Sequence, residues 1–462
     1  MRHERFDIRT VGRWLALCLA AVVLSACADM GAAGFETPPS GDEAVDEMLL
    51  EAQAHLARHD VERAQSTYAG IIAENDQPPG AAHAGKAVCD LLLLPGSSAF
   101  SDMIVEHLGA TSPVDTGDAD QIIYADEGYL YWLARGVPWT DEGDYAGIRS
   151  IMSDQLPWEA ERLASLGSFF TDLSTPGNDI VDDMLPIATA LAQIESQLQL
   201  ALDDPEFEWI YIPGRTFHYD KLDLILGRSE LDLIASTLAM SRGSIYFSAA
   251  YEHPWTLDEA LGSQPQAGDE PREGWTRVDY AADYFSTHMA RELREPAHLR
   301  EARSAFDEGL EHSAAAIRAG INYDAETTLS WHRAETSYAR ELIEFIEAVR
   351  QSLYGPELLP GSTPETTMDL SRLFSEGRTL DPEIPWLEPV AAEPDAEEAI
   401  ARWKISDRAR QAFFVDGIFE PSFDVDEGGP ELDINSERTR EFRRSVTGDI
   451  EGDVEDAYFT IQ

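Results

Sequence analysis

The stretch AVDEMLLEAQAHLARHDVERAQSTYAGIIAENDQPP, running from Ala44 to Pro79, decides the fold. Up to Arg58, the apolar residues Val45, Met48, Leu49, Ala52 and Leu56 recur every three or four positions. That spacing collects them on one face of a helix. His59-Asp60 interrupts the pattern. A second run then starts at Val61 and turns Ala64, Tyr68, Ile71 and Ile72 inward. Asn75-Asp76-Gln77-Pro78-Pro79 closes it, because proline fixes φ and offers no N–H to a helix. Two amphipathic helices joined by so short a turn form a hairpin. One hairpin cannot bury its own apolar face, so another helix must stack on it. The segment Ala81–Leu94, stopped by Pro95-Gly96, is the candidate.

This hairpin resembles a tetratricopeptide repeat. The likeness rests on Ala52 in the first helix, Asp60 at the turn, and Ala64 and Tyr68 in the second helix. A small residue on each helix lets the axes approach, and the aromatic ring fills the space beside them. Met48 stands where the family carries an aromatic, and the closing proline comes late. The resemblance covers about 34 residues and implies a helical-repeat fold.

Outward from the hairpin the chain stays helical. Periodicity predicts helices over Phe100–Leu108, Ala119–Arg135, Ala146–Gln155, Glu159–Thr171, Ile180–Leu202 and Ser229–Ser241. Leu191, Ile194, Leu198 and Leu202 form one stripe. Glu208–Phe217 is richer in β-branched and aromatic residues and reads as a short extended hairpin around Pro213-Gly214. Residues 263–274 read as a linker. Beyond them, helices are expected at Tyr280–Leu293, Ala297–Ala319, Glu326–Leu353 and Ala399–Phe414, with a short one between two Pro-rich segments. No series of strands is visible. The expected fold is all-α: a tetratricopeptide-like hairpin continued by stacked helix pairs, α-solenoid-like. The boundaries follow as a helical-repeat domain over 44–262, a C-terminal helical region over 275–416, and an acidic, partly disordered tail over 417–462.

Before the hairpin, Arg2, Arg5, Arg9 and Arg13 precede an apolar run from Trp14 to Val23. The run is shorter than the roughly 20 residues a membrane-spanning helix needs. A basic head, an apolar middle and small residues read as a secretory signal over 1–26. Leu24-Ser25-Ala26-Cys27 resembles the lipobox of bacterial lipoproteins, in which cleavage precedes the cysteine and the thiol is acylated. The resemblance implies lipidation of Cys27 and membrane attachment through that lipid. In the lipoproteins it resembles, an aspartate directly after the cysteine favours the inner membrane; here Ala28 follows and the aspartate comes one place later, at Asp29, so the resemblance implies the outer membrane. Residues 27–43 are small, polar and Pro/Gly-bearing, and read as a tether.

The charge narrows the partners. Of 462 residues, 86 are Asp or Glu and 34 Lys or Arg, a formal net charge of −52. Losing residues 1–26 removes four arginines and two acids, which leaves about −54. Lys86, Lys221 and Lys404 are the only lysines. Nucleic acid is excluded as a partner, since phosphate binding needs clustered cations. The acids are spread along the chain rather than blocked, which suits a protein kept soluble in high salt. The alternative is a surface that gathers divalent cations or a basic partner. Cys18 leaves with the signal and Cys27 carries lipid, so Cys89 stands alone in an apolar stretch as a small buried residue.

Motifs for chemistry are sparse. Gly80-x4-Gly85-Lys86 has the spacing of a phosphate-binding loop, but Ala87 replaces the Mg²⁺-binding hydroxyl and a helix, not a strand, precedes it. Glu295-x-x-His298 lacks a mate on another helix, and Glu308/His312 and His332/Glu335 read as solvated helix faces. Asp115, Asp118 and Asp120 lie in a loop that could hold Ca²⁺, as do Asp424, Asp426, Glu431 and Asp433; neither has EF-hand spacing. No nucleophile elbow and no His-Glu-x-x-His occur.

Pro-Trp occurs four times, at Trp139, Trp158, Trp255 and Trp386. Proline at a helix start with tryptophan packing across the junction explains such pairs. Aromatic platforms for a sugar or peptide are the alternative. These residues are the candidate ligand contacts, with no catalytic residue and no cofactor expected. The expected function is a lipid-anchored envelope binding or scaffolding protein with a protein or glycan partner. The alternative is a glycan- or solute-binding lipoprotein serving a transporter.

Overall fold

A computed structural model describes residues 37, 39–58, 60–94, 97, 176–213, 224–256, 259, 277–288, 292–322, 336–363, 365–375, 377–390, 402–422 and 431–432. Cys27, Asp115, Asp118, Asp120, Trp139 and Trp158 lie outside them, as do the helices expected between Phe100 and Thr171. No helix among the described residues is long and apolar enough to cross a membrane.

The fold is all-α in character and mostly helical. Helix α1 (Glu43–Leu56) is started by Asp42, whose carboxylate accepts the Ala44 N–H at 2.9 Å. Helix α2 (Val61–Glu74) begins at Asp60, the turn residue, which accepts from Arg63 N–H at 3.4 Å. Such caps satisfy donors that the first helical turn leaves without partners. Helix α3 (Gly80–Leu93) then covers the hairpin. Leu49, Ala52, Leu56, Ala64, Tyr68 and Ile71 are buried between the three. Each fully buried Leu or Ile contributes about 1.5–3 kcal/mol. Ile72, expected inward, is half-buried.

The helix expected over Ile180–Leu202 is two. Helix α4 (Gly177–Asp183) ends at Met184, and α5 (Leu185–Asp203) starts there with Pro186 in its first turn. Proline is tolerated at a helix start and breaks a helix interior. Ile187, Leu191, Ile194 and Leu198 of α5 are buried. Strand β1 (Trp209–Ile212) pairs antiparallel with β2 (Leu224–Gly227), so the extended hairpin is real but its return strand lies beyond Phe217. Helix α6 (Arg228–Ala249) follows directly. It runs eight residues past the expected end at Ser241, because Ile245 and Ala249 continue its buried face.

Helices α7 (Arg277–His288), α8 (Pro296–Asn322) and α9 (Thr336–Ser352) complete the long elements. The packing is sequential: α1 on α2, α2 on α3, α3 on α5, α5 on α6, α6 on α8, α8 on α9. The α6–α8 pair is antiparallel and intimate. Gly243 sits against the ring of Phe306, and Gly309 against Met240, each with no room for a Cβ.

The C-terminal part adds short elements the sequence pattern does not show. Strands β3 (Glu357–Leu358), β5 (Thr367–Met368) and β8 (Phe419–Glu420) form a small sheet. Strand β4 (Ser362–Thr363) pairs with β9 (Glu431–Leu432), and β6 (Leu387–Val390) with β7 (Arg402–Ile405). Helix α10 (Ser371–Ser375) is the short helix expected between the Pro-rich segments. The helix expected over Ala399–Phe414 is instead β7, then α11 (Asp407–Arg410) and a π-turn, Gln411–Val415. Ser406 sets the switch: its hydroxyl caps α11 at Ala409 N–H, 3.0 Å away. A second core gathers here around Tyr251, Leu299, Leu353, Phe374, Trp386 and Phe413.

Candidate functional site

The polar chemistry of the described residues concentrates where α5, α6 and α8 meet. Arg242 of α6 reaches toward α5, where its Nη2 donates to both oxygens of Glu195 at 3.1 and 2.9 Å. The same nitrogen donates to Glu308 of α8. Glu308 also accepts from Ser304 at 3.0 Å. Nearly three turns back along α6, Asp232 meets His312 Nδ1 of α8 at 2.8 Å. The hydroxyls of Ser236 and Ser313 touch at 2.6 Å, and Ser229 donates to the Ala316 carbonyl at 2.9 Å. One guanidinium therefore serves two carboxylates from different helices, beside a His–Asp pair.

Burial shapes the electrostatics. It pushes the Glu195 carboxyl up from its usual 4.5 to about 7, against the pull of Arg242. Burial opposes the charge on His312, but the hydrogen bond and the negative charge of Asp232 overcome it and raise its pKa. Removing one partner of such a set leaves a charge without compensation in the interior, at a cost of about 3–5 kcal/mol. The cluster can hold helices in one register and take up a proton near neutrality.

Of the remaining sequence candidates, His332, Glu335, Asp424, Asp426 and Asp433 lie outside the described residues, and Glu431 lies in β9. Gly80 does begin a helix, but its N–H donates to Asp204 at 2.6 Å, and Lys86 pairs with Asp90 at 2.5 Å. A carboxylate thus occupies the position a phosphate would need. His298 meets Glu301 at 2.6 Å and stacks on Tyr246. Of Glu308 and His312, read as a solvated face, His312 turns into the three-helix junction, while Glu308 reaches Arg242 from its rim with its side chain 42 % exposed. Among the described residues, no group of three or more His, Cys, Asp or Glu is placed to hold a metal ion. Cys89 is buried with a free thiol.

The two described Pro-Trp tryptophans lie apart and both pack. Trp386 is 7 % exposed and its ring centroid lies 5.1 Å from that of Phe413. It offers no platform to solvent. Trp255 is half-buried, with its ring against Gly177 and edge-on to Phe285 at 5.3 Å. Its carbonyl accepts the Gly177 N–H at 2.7 Å, tying the chain after α6 to the start of α4. A groove between α8 and α9 is lined by Arg318, Ile321, Arg340, Ile343 and Glu344. Arg318 there donates to Glu347 at 2.6 Å, so part of its charge is already matched.

The Arg242 junction escapes sequence reasoning because its members are 47 to 66 residues apart. The one available signal is the set of small polar residues Ser229, Ser236, Thr237 and Ser241 on the buried face of α6. No known family model, curated protein or solved structure matches the chain.

Proposed function

We propose that this chain is a lipid-tethered envelope protein that binds a polypeptide partner along its helical stack. The observation that supports this reading is the order of packing, in which α1, α2, α3, α5, α6, α8 and α9 each meet the next. Stacks built that way expose long continuous surfaces suited to extended partners. The net charge of −52 selects a cationic partner and disfavours nucleic acid. The Cys27 lipobox supplies the anchor. Several acyl methylenes, each contributing about 0.8 kcal/mol, hold such a protein at a bilayer.

Two measurements test the reading together. Mass spectrometry of the mature chain finds acyl groups on Cys27, and Cys27→Ala moves the protein to the soluble fraction. Photo-crosslinkers at exposed Leu200 of α5 and Glu341 of α9 then capture the same basic polypeptide in intact cells. Purified mature chain competes that adduct away, and added salt weakens it. An unacylated Cys27, or crosslinks that purified chain does not compete, overturns the proposal.

A further inference from the structure

The stretch between the cysteine and the first helix reads from sequence as a tether, yet its far end is fastened. The Thr37 hydroxyl sits between two elements distant in the chain. It takes a hydrogen bond from the Gln53 side-chain amide of α1 and one from the Tyr211 backbone N–H of β1, the latter at 3.2 Å. In the ladder Tyr211 lies opposite Ile225 of β2, and its N–H is turned to Thr37. Thr37 thus satisfies a backbone donor of β1 while holding α1 through Gln53. Three residues on, Ser40 gives Asp46 of α1 both its N–H and its hydroxyl, at 2.6 and 2.7 Å. Asp42 then caps α1.

We propose that Thr37 is the point where the lipid leash is made fast, so that the α1–β1 corner is the membrane-proximal end of the molecule. This rests on acylation of Cys27. A leash running to Glu43 would span up to about 53–58 Å; ending at Thr37, ten residues from the cysteine, it spans at most about 33–36 Å. Whatever path residues 28–36 take, they carry the corner no farther than that from the headgroups. The partner of this corner is the lipid surface, and the stack extends from it toward α9 and the second core.

The acylated mature chain in phosphatidylcholine nanodiscs carrying a nitroxide-headgroup lipid tests this. A fluorophore on Leu50→Cys, one turn from Gln53 on α1, is quenched strongly, and one on Glu383→Cys beside the second core is quenched little. Thr37→Val keeps the shape and deletes the hydroxyl. It speeds exchange of the Tyr211 amide about five- to tenfold, as loss of one hydrogen bond does, leaves the Ile210 and Ile212 amides unchanged, and reduces quenching at Leu50→Cys. Equal quenching at the two sites, or Tyr211 exchange indifferent to Thr37→Val, overturns the inference with the lipid reading intact. A bare Cys27 on mass spectrometry overturns the lipid reading and with it the membrane-facing corner. Tyr211 exchange then reports on the Thr37 fastening alone.

Discussion

The ring of Tyr68 rests on the backbone of Gly85: a methyl group at Gly85 would come within 2.3 Å of Cζ. In an exposed helix, Gly→Ala stabilises by about 0.8–1 kcal/mol. Here the sign reverses, because crowding a packed core costs about 1–3 kcal/mol. Gly85→Ala therefore lowers the urea midpoint, and adding Tyr68→Leu recovers part of the loss. Tyr68→Phe is neutral or stabilising, since the Tyr68 hydroxyl is buried with no hydrogen-bond partner.

Arg242 holds α5 and α8 to α6 by one nitrogen. Arg242→Met leaves Glu195 buried beside Glu308 and costs about 3–5 kcal/mol by chemical denaturation. Pairing it with Glu195→Leu restores much of that stability, because no interior charge is then stranded. A double mutant no better than Arg242→Met would show that the packing of Arg242, not its charge, matters.

The same junction makes stability depend on pH. Glu195 has a folded pKa raised from 4.5 to about 7, so between those values the folded state binds more protons than the unfolded one. Its stabilising contribution is full below 4.5 and is lost as pH rises to about 7. His312 acts in the same direction: its raised pKa gives stability below 6.5 that fades as pH climbs through the folded value. Thermal melts of Glu195→Gln show a flatter profile than wild type from pH 4.5 to 7, and His312→Gln flattens the limb above 6.5.

Salt raises the melting temperature. At 0.1 M the Debye length is about 10 Å and at 1 M about 3 Å, so repulsion within a surface of net charge −52 is largely screened at the higher value. Exposed pairs such as Arg294–Asp182 weaken in the same titration, but each contributes at most about 1 kcal/mol. Millimolar CaCl₂ gives no more than its ionic strength predicts. A melting point unmoved by NaCl and raised by calcium would favour cation binding by the acids instead.

Trp386 seals the second core against Phe413 and Phe414. Trp386→Ala costs about 3–5 kcal/mol. Glycans leave the fluorescence of the Trp386-only variant unshifted, because this indole is shielded from solvent.

The first three helices were legible because everything that defines them is local. Asp42 and Asp60 cap, Pro78-Pro79 stop, and Leu49, Leu56 and Ile71 mark the inner faces. The α4–α5 break was also written in Pro186, but the apolar stripe through Leu191 and Leu198 masked it. Strand β7 is hidden in the sequence for a different reason. Arg402–Ile405 is helix-compatible by composition, and its pairing with Leu387–Val390 decides its state. The Arg242 junction left no local trace beyond the small polar residues of α6, since Glu308 and His312 look like any charged helix face until α6 is laid beside α8.

Sequential packing also governs how the molecule comes apart. A layer at the α1 end or beyond α9 has one long-helix neighbour to lose, so damage there peels inward layer by layer. The junction of α5, α6 and α8 is the exception, because three layers share one guanidinium. Erosion from either extremity halts at that knot, and limited proteolysis would leave α5 through α8 as the last resistant fragment.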